Sequence, residues 1–386
     1  MPKLVWTRTW RRYFHAIGGM TQDAAASRNQ AGTDLLDNPI AASVASGGVV
    51  SWRDAGAVEV LMSPAYRSEI ERALRLRRRL LEDDSLEAVR ILNGAADGVP
   101  GLVMEKLGPV LMAQLHEQRL AMGEDAARAI AEQLCRRLGA TAVYRKWFVR
   151  ERGRLDRRIA AAHTNPEPWF GQRAADEYAV WEHGLQFLVR PYDGFAYGLF
   201  LDHRDNRKRV RELSAGRRVL NLFAYTCGFS VAAAVGGATQ VASVDAHKRY
   251  LEWGKRNFEI NGVALGPHRF FCSDIFDFYK RARRQGLRYD LIILDPPTFS
   301  RQRQPRRVFV LEEQLEALCT GAIELLERDG LLLLATNDRG LSRQRLEQAV
   351  QKAAGSRRCE IIERPGLPID FAGDPDYSKT IIGRVG

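Results

Sequence analysis

A chain of 386 residues with a net charge of +11 is long enough for more than one buried core and basic enough to attract polyanions such as nucleic acid. It has no run near ~18 consecutive apolar residues, and its start (Trp6, Trp10, Arg11, Arg12) lacks an apolar stretch ending at a small-residue cleavage site, so neither a membrane helix nor secretion is expected. The five cysteines (Cys135, Cys227, Cys272, Cys319, Cys359) never form a CxxC pair, which argues against a disulfide framework or a metal site and suits the reducing cytoplasm.

Residues 1–65 show no sustained period of 2 or 3.6 and read as an irregular N-terminal segment. Over 68–86, Ile70, Leu74, Leu76 and Leu80 among Glu and Arg predict one helix, on which Arg75, Arg77, Arg78 and Arg79 crowd. A small α+β region follows. Its strand at 89–92 gives way to turn chemistry at Asn93-Gly94 and Asp97-Gly98, and a hairpin joins 101–105 to 110–115 across Leu107-Gly108. Ala126, Ile130, Leu134 and Leu138 mark a helix that Gly139 ends. A strand at 142–149 runs into a basic stretch containing Arg145, Lys146, Arg150, Arg152, Arg154, Arg157 and Arg158, and a second hairpin (177–182, 185–189) turns at His183-Gly184.

Beyond Gly198 the pattern alternates. Strands at 218–223, 240–244, 269–272, 289–294 and 330–335 are separated by helical segments, which predicts an α/β, doubly wound parallel sheet with helices on both faces. The strands at 359–364 and 379–385 have only a loop between them and can close the sheet as an antiparallel edge hairpin. The expected division is therefore an irregular segment at 1–65, a smaller basic α+β accessory domain at 66–190, the part expected to meet nucleic acid such as RNA, and an α/β domain at 191–386.

Ligands of open α/β sheets bind beyond the carboxyl ends of the strands. The first strand ends Val219-Leu220-Asn221-Leu222-Phe223 and passes into Ala224-Tyr225-Thr226-Cys227-Gly228, a turn into a helix whose N–H groups can approach a ligand. The second strand ends in Asp245, where a carboxylate can accept both hydroxyls of a ribose. The third ends Ser273-Asp274-Ile275, a carboxylate and an apolar side chain where an adenine would lie. A nicotinamide site would call for G-x-G-x-x-G and a phosphate loop for G-K-[ST]; neither is present. Each Asp taken singly could be a helix N-cap. Their placement at successive strand ends favours adenosine. The fourth strand ends Asp295-Pro296-Pro297-Thr298-Phe299-Ser300, a turn whose prolines carry no N–H, leaving carbonyls and a carboxylate for a ligand and Phe299 to stack on a base. The basic residues Arg301, Arg303, Arg306 and Arg307 follow directly.

Segments 220–237, 245–262 and 295–300, with Gly198-Leu199-Phe200-Leu201-Asp202-His203-Arg204 upstream, resemble the bacterial 23S rRNA methyltransferases, and the likeness extends from about Val89 to the C-terminus. The resemblance implies a class I, Rossmann-like methyltransferase using S-adenosylmethionine on large-subunit rRNA. It implies that Phe223, Tyr225, Thr226 and Gly228 line the methionine end of the cofactor, together with Asn221 at the strand end. Asp245 would hold the ribose, Asp274 and Ile275 the adenine, and Asp202 with Arg204 would close the site.

That family has two chemistries. Cytosine C5 is not nucleophilic, so its methylation uses a cysteine that adds to C6 of the base. The cysteine lies after the fourth strand's proline or at the end of the fifth strand. Here those places read Pro297-Thr298-Phe299 and Thr336-Asn337-Asp338-Arg339-Gly340. Guanine N7 has an exposed lone pair and needs only positioning. The pattern is closest to the guanine-N7 (RlmK-type) branch, related to the cytosine-C5 (RlmI-type) branch. Thr336-Asn337-Asp338 departs from the S-N-N of the N7 branch and leaves Asn337 as the match. Asp295, Pro296, Pro297, Phe299 and Asn337 are the expected catalytic group. A catalytically silent RNA-binding module is the reading from another class.

Overall fold

The computed structural model describes residues 66–148, 162–303 and 306–386. The segment 1–65, the basic run from Arg150 to Arg158 and the side chains of Arg301, Arg303, Arg306 and Arg307 lie outside the described residues.

The strand β11 (Tyr289–Leu294) reads Tyr-Asp-Leu-Ile-Ile-Leu, apolar on both faces in its second half, and therefore belongs in the middle of a sheet covered on both sides. It pairs in parallel with β8 (Arg218–Leu222) on one side and with β14 (Leu326–Thr336) on the other. Outward from β8 come β9 (Gln240–Asp245) and β10 (Arg269–Cys272). Beyond β14 lie β16 (Lys379–Val385) and then β15 (Cys359–Glu363), both pairings antiparallel. The seven-stranded order is thus β10-β9-β8-β11-β14-β16-β15, a doubly wound sheet closed by the expected edge hairpin. Its first strand, β8, is central, so the chain reverses direction of winding beside it. That reversal opens the crevice where ligands bind such sheets.

Helices α3 (Arg204–Leu213) and α4 (Gly228–Val235) contribute Val210, Phe229 and Ala233 to one face. On the other face lie α6 (Ile275–Arg284), α7 (Leu311–Glu324) and α8 (Arg343–Ala354), packed through Phe278, Tyr279, Leu315, Leu318 and Leu346. The remaining helix of this half, α5 (Lys248–Ile260), follows β9.

The smaller sheet is five-stranded: β1 (Ala88–Asn93), β2 (Leu102–Leu107), β3 (Val110–His116), β4 (Ala142–Phe148) and β5 (Phe170–Gly171), in that order. β3 and β4 are parallel because α2 (Gly123–Arg137) crosses between them. With α1 (Arg67–Leu81) these helices cover one face. A hairpin of β6 (Tyr178–Glu182) and β7 (Leu185–Val189) turns at His183 and Gly184, both at positive φ (49° and 78°), the geometry of the tight turn expected there. Leu107, Met112 and Tyr144 share an apolar cluster with Phe187, Leu201, Val231 and Phe258, so the two sheets are joined by a common core.

A buried ionic network joins them as well. Asp370 sits in a one-turn helix, Ile369–Phe371, between the last two strands, and is fully buried. Its carboxylate accepts both guanidinium nitrogens of Arg204 (2.7 and 3.0 Å) and the backbone N–H of Arg90 (2.9 Å). Its carbonyl accepts Arg77 (2.8 Å), which also holds Asp97 with two bonds. Arg90 pairs with Glu105 at 2.7 Å and lies 3.9 Å over the Phe371 ring.

Three basic residues that the sequence suggests as surface or site charge are therefore internal. Arg77 faces inward from α1, Lys146 donates to the carbonyls of His163 and Gly194, and Arg204 is committed to Asp370. No described helix is long and apolar enough to cross a membrane, and no group of three metal-ligating side chains occurs among the described residues.

Candidate active site

The carboxyl ends of β8, β9, β11 and β14 open into a pocket of about 650 Å³, within the range of ligand-binding cavities. Its wall starts with the turn after β8. Phe223, Tyr225 and Cys227 all have positive φ (59°, 48° and 62°), while the residues between them do not. Such values strain a residue with a side chain by ~1–3 kcal/mol each. The N–H groups of Ala224 and Cys227 are used inside the protein, on the carbonyls of Val244 (2.9 Å) and Ala224 (2.7 Å), so the turn meets the pocket mainly through its side chains.

Neighbouring elements hold the turn in place. The backbone N–H of Tyr225 donates to Asp245 Oδ2 (2.9 Å), the Thr226 hydroxyl to the Gly198 carbonyl (2.6 Å), and Asn257 to the Thr226 carbonyl (2.8 Å). Gly254 on α5 completes the seat: a Cβ there would lie 2.3 Å from the Cys227 sulfur, so only glycine lets the helix pass so close.

At the end of β9, Asp245 lines the pocket while its other oxygen accepts the His247 backbone N–H at 2.8 Å. That carboxylate, hydrogen-bonded to His247, also raises the imidazole above its usual pKa. Asp274, after β10, caps α6: its Oδ1 accepts the N–H groups of Phe276 (3.0 Å) and Asp277 (3.3 Å). The cap and the pocket position are compatible, because Asp274 and Ile275 both line the cavity. Asp295, Pro296 and Pro297 form the wall after β11, and Asn337 the wall after β14. The Thr298 hydroxyl donates to Asn337 Oδ1 (3.1 Å), linking the last two loops and leaving the amide NH2 unused among the described residues.

Asp202 lines the pocket beside a residue that the sequence reading passed over. His203 is buried, with Nε2 3.3 Å from Asp295 Oδ2 and 3.6 Å from Asp202 Oδ2. Burial alone would lower its pKa, but the two carboxylates outweigh it and raise the imidazole to about 9.

The residues present suit a ligand carrying an adenosine and a carboxylate. Acids stand at two successive strand ends, the side chains of the strained turn line the pocket, and among the described residues the buried Tyr225 hydroxyl has no hydrogen-bond partner. A family model for the S-adenosylmethionine-dependent methyltransferases matches residues 97–379, most of the chain. The chain belongs to that family. Its cofactor is S-adenosylmethionine, and a solved methyltransferase structure complexed with SAH is similar over 84% of this chain and 82% of its own, at 27% identity and a TM-score of 0.75. Among curated relatives, the ribosomal RNA large subunit methyltransferase K of Neisseria meningitidis is 41% identical over 43% of this chain and 47% of its own length. The ribosomal RNA large subunit methyltransferase I of Klebsiella pneumoniae is 32% identical over 71% and 66%, and a ribosomal RNA large subunit methyltransferase of Deinococcus radiodurans 33% identical over 76% and 72%. The chain thus spans about half of the Neisseria protein and most of the Deinococcus one.

Of the residues expected in the methyltransferase site, Phe223, Tyr225, Thr226 and Gly228 join those already placed in the pocket wall. Three lie elsewhere. Arg204 is drawn into the Asp370 pair and cannot close the site. Asn221 is buried behind the turn, donating to Ser230 at 2.9 Å, and supports the wall without lining it. Phe299 begins β12 (Phe299–Arg303), which pairs with β13 (Arg306–Val310); it is 49% exposed and outside the lining. Phe309 of β13 takes the interior place, 5.6 Å from the Phe223 ring.

Proposed function

We propose that this methyltransferase transfers its methyl to N7 of a guanine in large-subunit ribosomal RNA. The names of the Neisseria, Klebsiella and Deinococcus relatives support the substrate class. The net charge of +11 supports it too, as do the exposed Arg72, Arg75 and Arg79 on α1. In this reading residues 66–190 contact RNA and 191–386 carry the chemistry.

The observation that carries N7 over cytosine C5 is the placement of the thiols. None of the five cysteines lines the pocket. Cys227 and Cys319 are fully buried, and burial pushes both thiols up to about 12, far from the thiolate that a C6 adduct needs. Cys135 belongs to the small domain's core, and Cys359 to the far edge strand. Cys272 is exposed at the end of β10, with its sulfur 3.5 Å from the Ala246 carbonyl.

Bound S-adenosylmethionine supplies an electrophilic methyl on a sulfonium. The chain's own residues then hold and orient. Asp245 would accept the ribose hydroxyls, Asp274 and Ile275 would flank the adenine, and Phe223, Tyr225, Thr226 and Gly228 would line the methionine end. Asp295, the Pro296-Pro297 wall and the free NH2 of Asn337 grip the guanine edge. Guanine N7 loses no proton, so no general base is required and alignment supplies the rate.

Asp245→Ala is expected to weaken SAH binding by about 1–3 kcal/mol in calorimetry, because two hydroxyls lose a charged acceptor; unchanged affinity would remove the ribose assignment. A variant with all five cysteines replaced by Ala or Ser is expected to keep turnover within a few-fold of the parent when folded. Loss of activity on one replacement, with a covalent adduct trapped on 5-fluorocytosine RNA, would establish the C5 reaction instead.

A further inference from the structure

We propose that His203 is a positioning residue: as an imidazolium between Asp202 and Asp295 it fixes both carboxylates in the pocket wall and leaves the three groups with one net negative charge. This deepens the methyl-transfer reading and shares its pocket.

The geometry supplies the argument. Asp202 and His203 enter from the segment before α3, and Asp295 from the loop after β11, yet both carboxylates reach the same ring nitrogen, at 3.6 and 3.3 Å. Without a cation between them, two acids this close would repel each other and be held less firmly in the wall. Phe229 covers one side of the imidazole at 5.4 Å between rings, and Arg207, the opposing cation nearby, is occupied by Glu182 at 2.6 and 2.7 Å.

The contact at the second ring nitrogen is compatible with that charge. Asn206 Nδ2 stands 3.0 Å from His203 Nδ1 and 2.9 Å from the Thr380 hydroxyl, while Asn206 Oδ1 is buried without a partner among the described residues. Turning that amide end for end presents Oδ1 to both the Nδ1–H of a charged ring and the Thr380 hydroxyl. The number of unpartnered amide ends stays the same, and one bond becomes charge-assisted. Asn206 can thus serve either protonation state, and the carboxylates select the charged one. A single negative charge also suits a wall that faces a sulfonium and a base that becomes cationic on N7 methylation.

The test is a proton NMR titration of the His203 ring in the full chain, assigned by difference from His203→Gln, with no RNA present. The ring is expected to stay charged through pH 8 and to titrate about two pH units above free histidine. Asp295→Asn should bring that midpoint down by at least about one unit. A neutral ring at pH 7.5, or a midpoint indifferent to Asp295→Asn, would overturn the proposal. In turnover, wild-type kcat should fall as pH rises through 9. His203→Gln should be at least tenfold slower and flat over the same range, with SAH affinity within about threefold. A pH profile in the Gln variant that matches the wild type would also overturn it. Because the titration needs no substrate, a charged ring in a chain that methylates no RNA would count against the substrate reading alone.

Discussion

Asp295→Ala is expected to lower kcat for methyl transfer about a hundredfold while changing SAH affinity by less than about threefold. Asp295 stands at the end of β11, 3.3 Å from His203 and followed by two prolines that keep its loop in one conformation. Removing it deletes the anchor for the base and one of the two acids that hold His203 charged. A misplaced acceptor costs about a hundredfold in rate even when binding survives. Single-turnover transfer and calorimetry on the same preparation separate the two effects. A variant turning over within a few-fold of the wild type would place the base elsewhere in the pocket.

Asp370→Ala is expected to destabilise the fold by about 3–5 kcal/mol, the range for a buried ion pair that loses one partner. The substitution strands Arg204, which is nearly inaccessible and held at 2.7 Å, and removes the acceptor of the Arg90 backbone N–H. With each kcal/mol worth ~2–4 °C in a protein of this size class, Tm should fall on the order of 10 °C. Asp370→Asn should fall less, because an amide oxygen can still accept one bond. Calorimetric scans compare the three proteins directly. A Tm for Asp370→Ala within about 2 °C of the parent would mean that the Arg204, Arg77 and Arg90 contacts do not tie the two sheets together.

What the sequence made legible was local. Apolar runs that end in Asp245 and Asp295 identify buried parallel strands and their ligand-facing ends, Asp274 follows the exposed edge strand β10, and the structure puts all three acids in one pocket. The antiparallel edge was legible because the segment joining its strands reads as loop, with no helical pattern to carry a parallel crossover. What stayed hidden depends on partners distant in the chain. The motif containing Asp202, His203 and Arg204 shows three polar residues in a row. It does not show that Asp370, far along the chain and in a stretch that reads only as loop, removes Arg204 from the site. Nor does it show that Asp295 comes to lie beside His203.

The β12–β13 hairpin was masked by its composition. Its Arg, Gln and Pro residues hide the cross-strand pairing of Phe299 with Val310 and Ser300 with Phe309. The strained turn ran against ordinary propensity. Positive φ is expected of glycine, and here Phe223, Tyr225 and Cys227 adopt it because strand ends and α5 hold them there. Sites are where local rules are expected to give way.

The most direct test of the account is transfer of tritium from methyl-labelled S-adenosylmethionine to large-subunit rRNA from cells lacking this protein, followed by mass identification of the labelled nucleoside. The account predicts label in N7-methylguanosine. Label in 5-methylcytidine, or no incorporation by a folded protein that binds SAH, would contradict it.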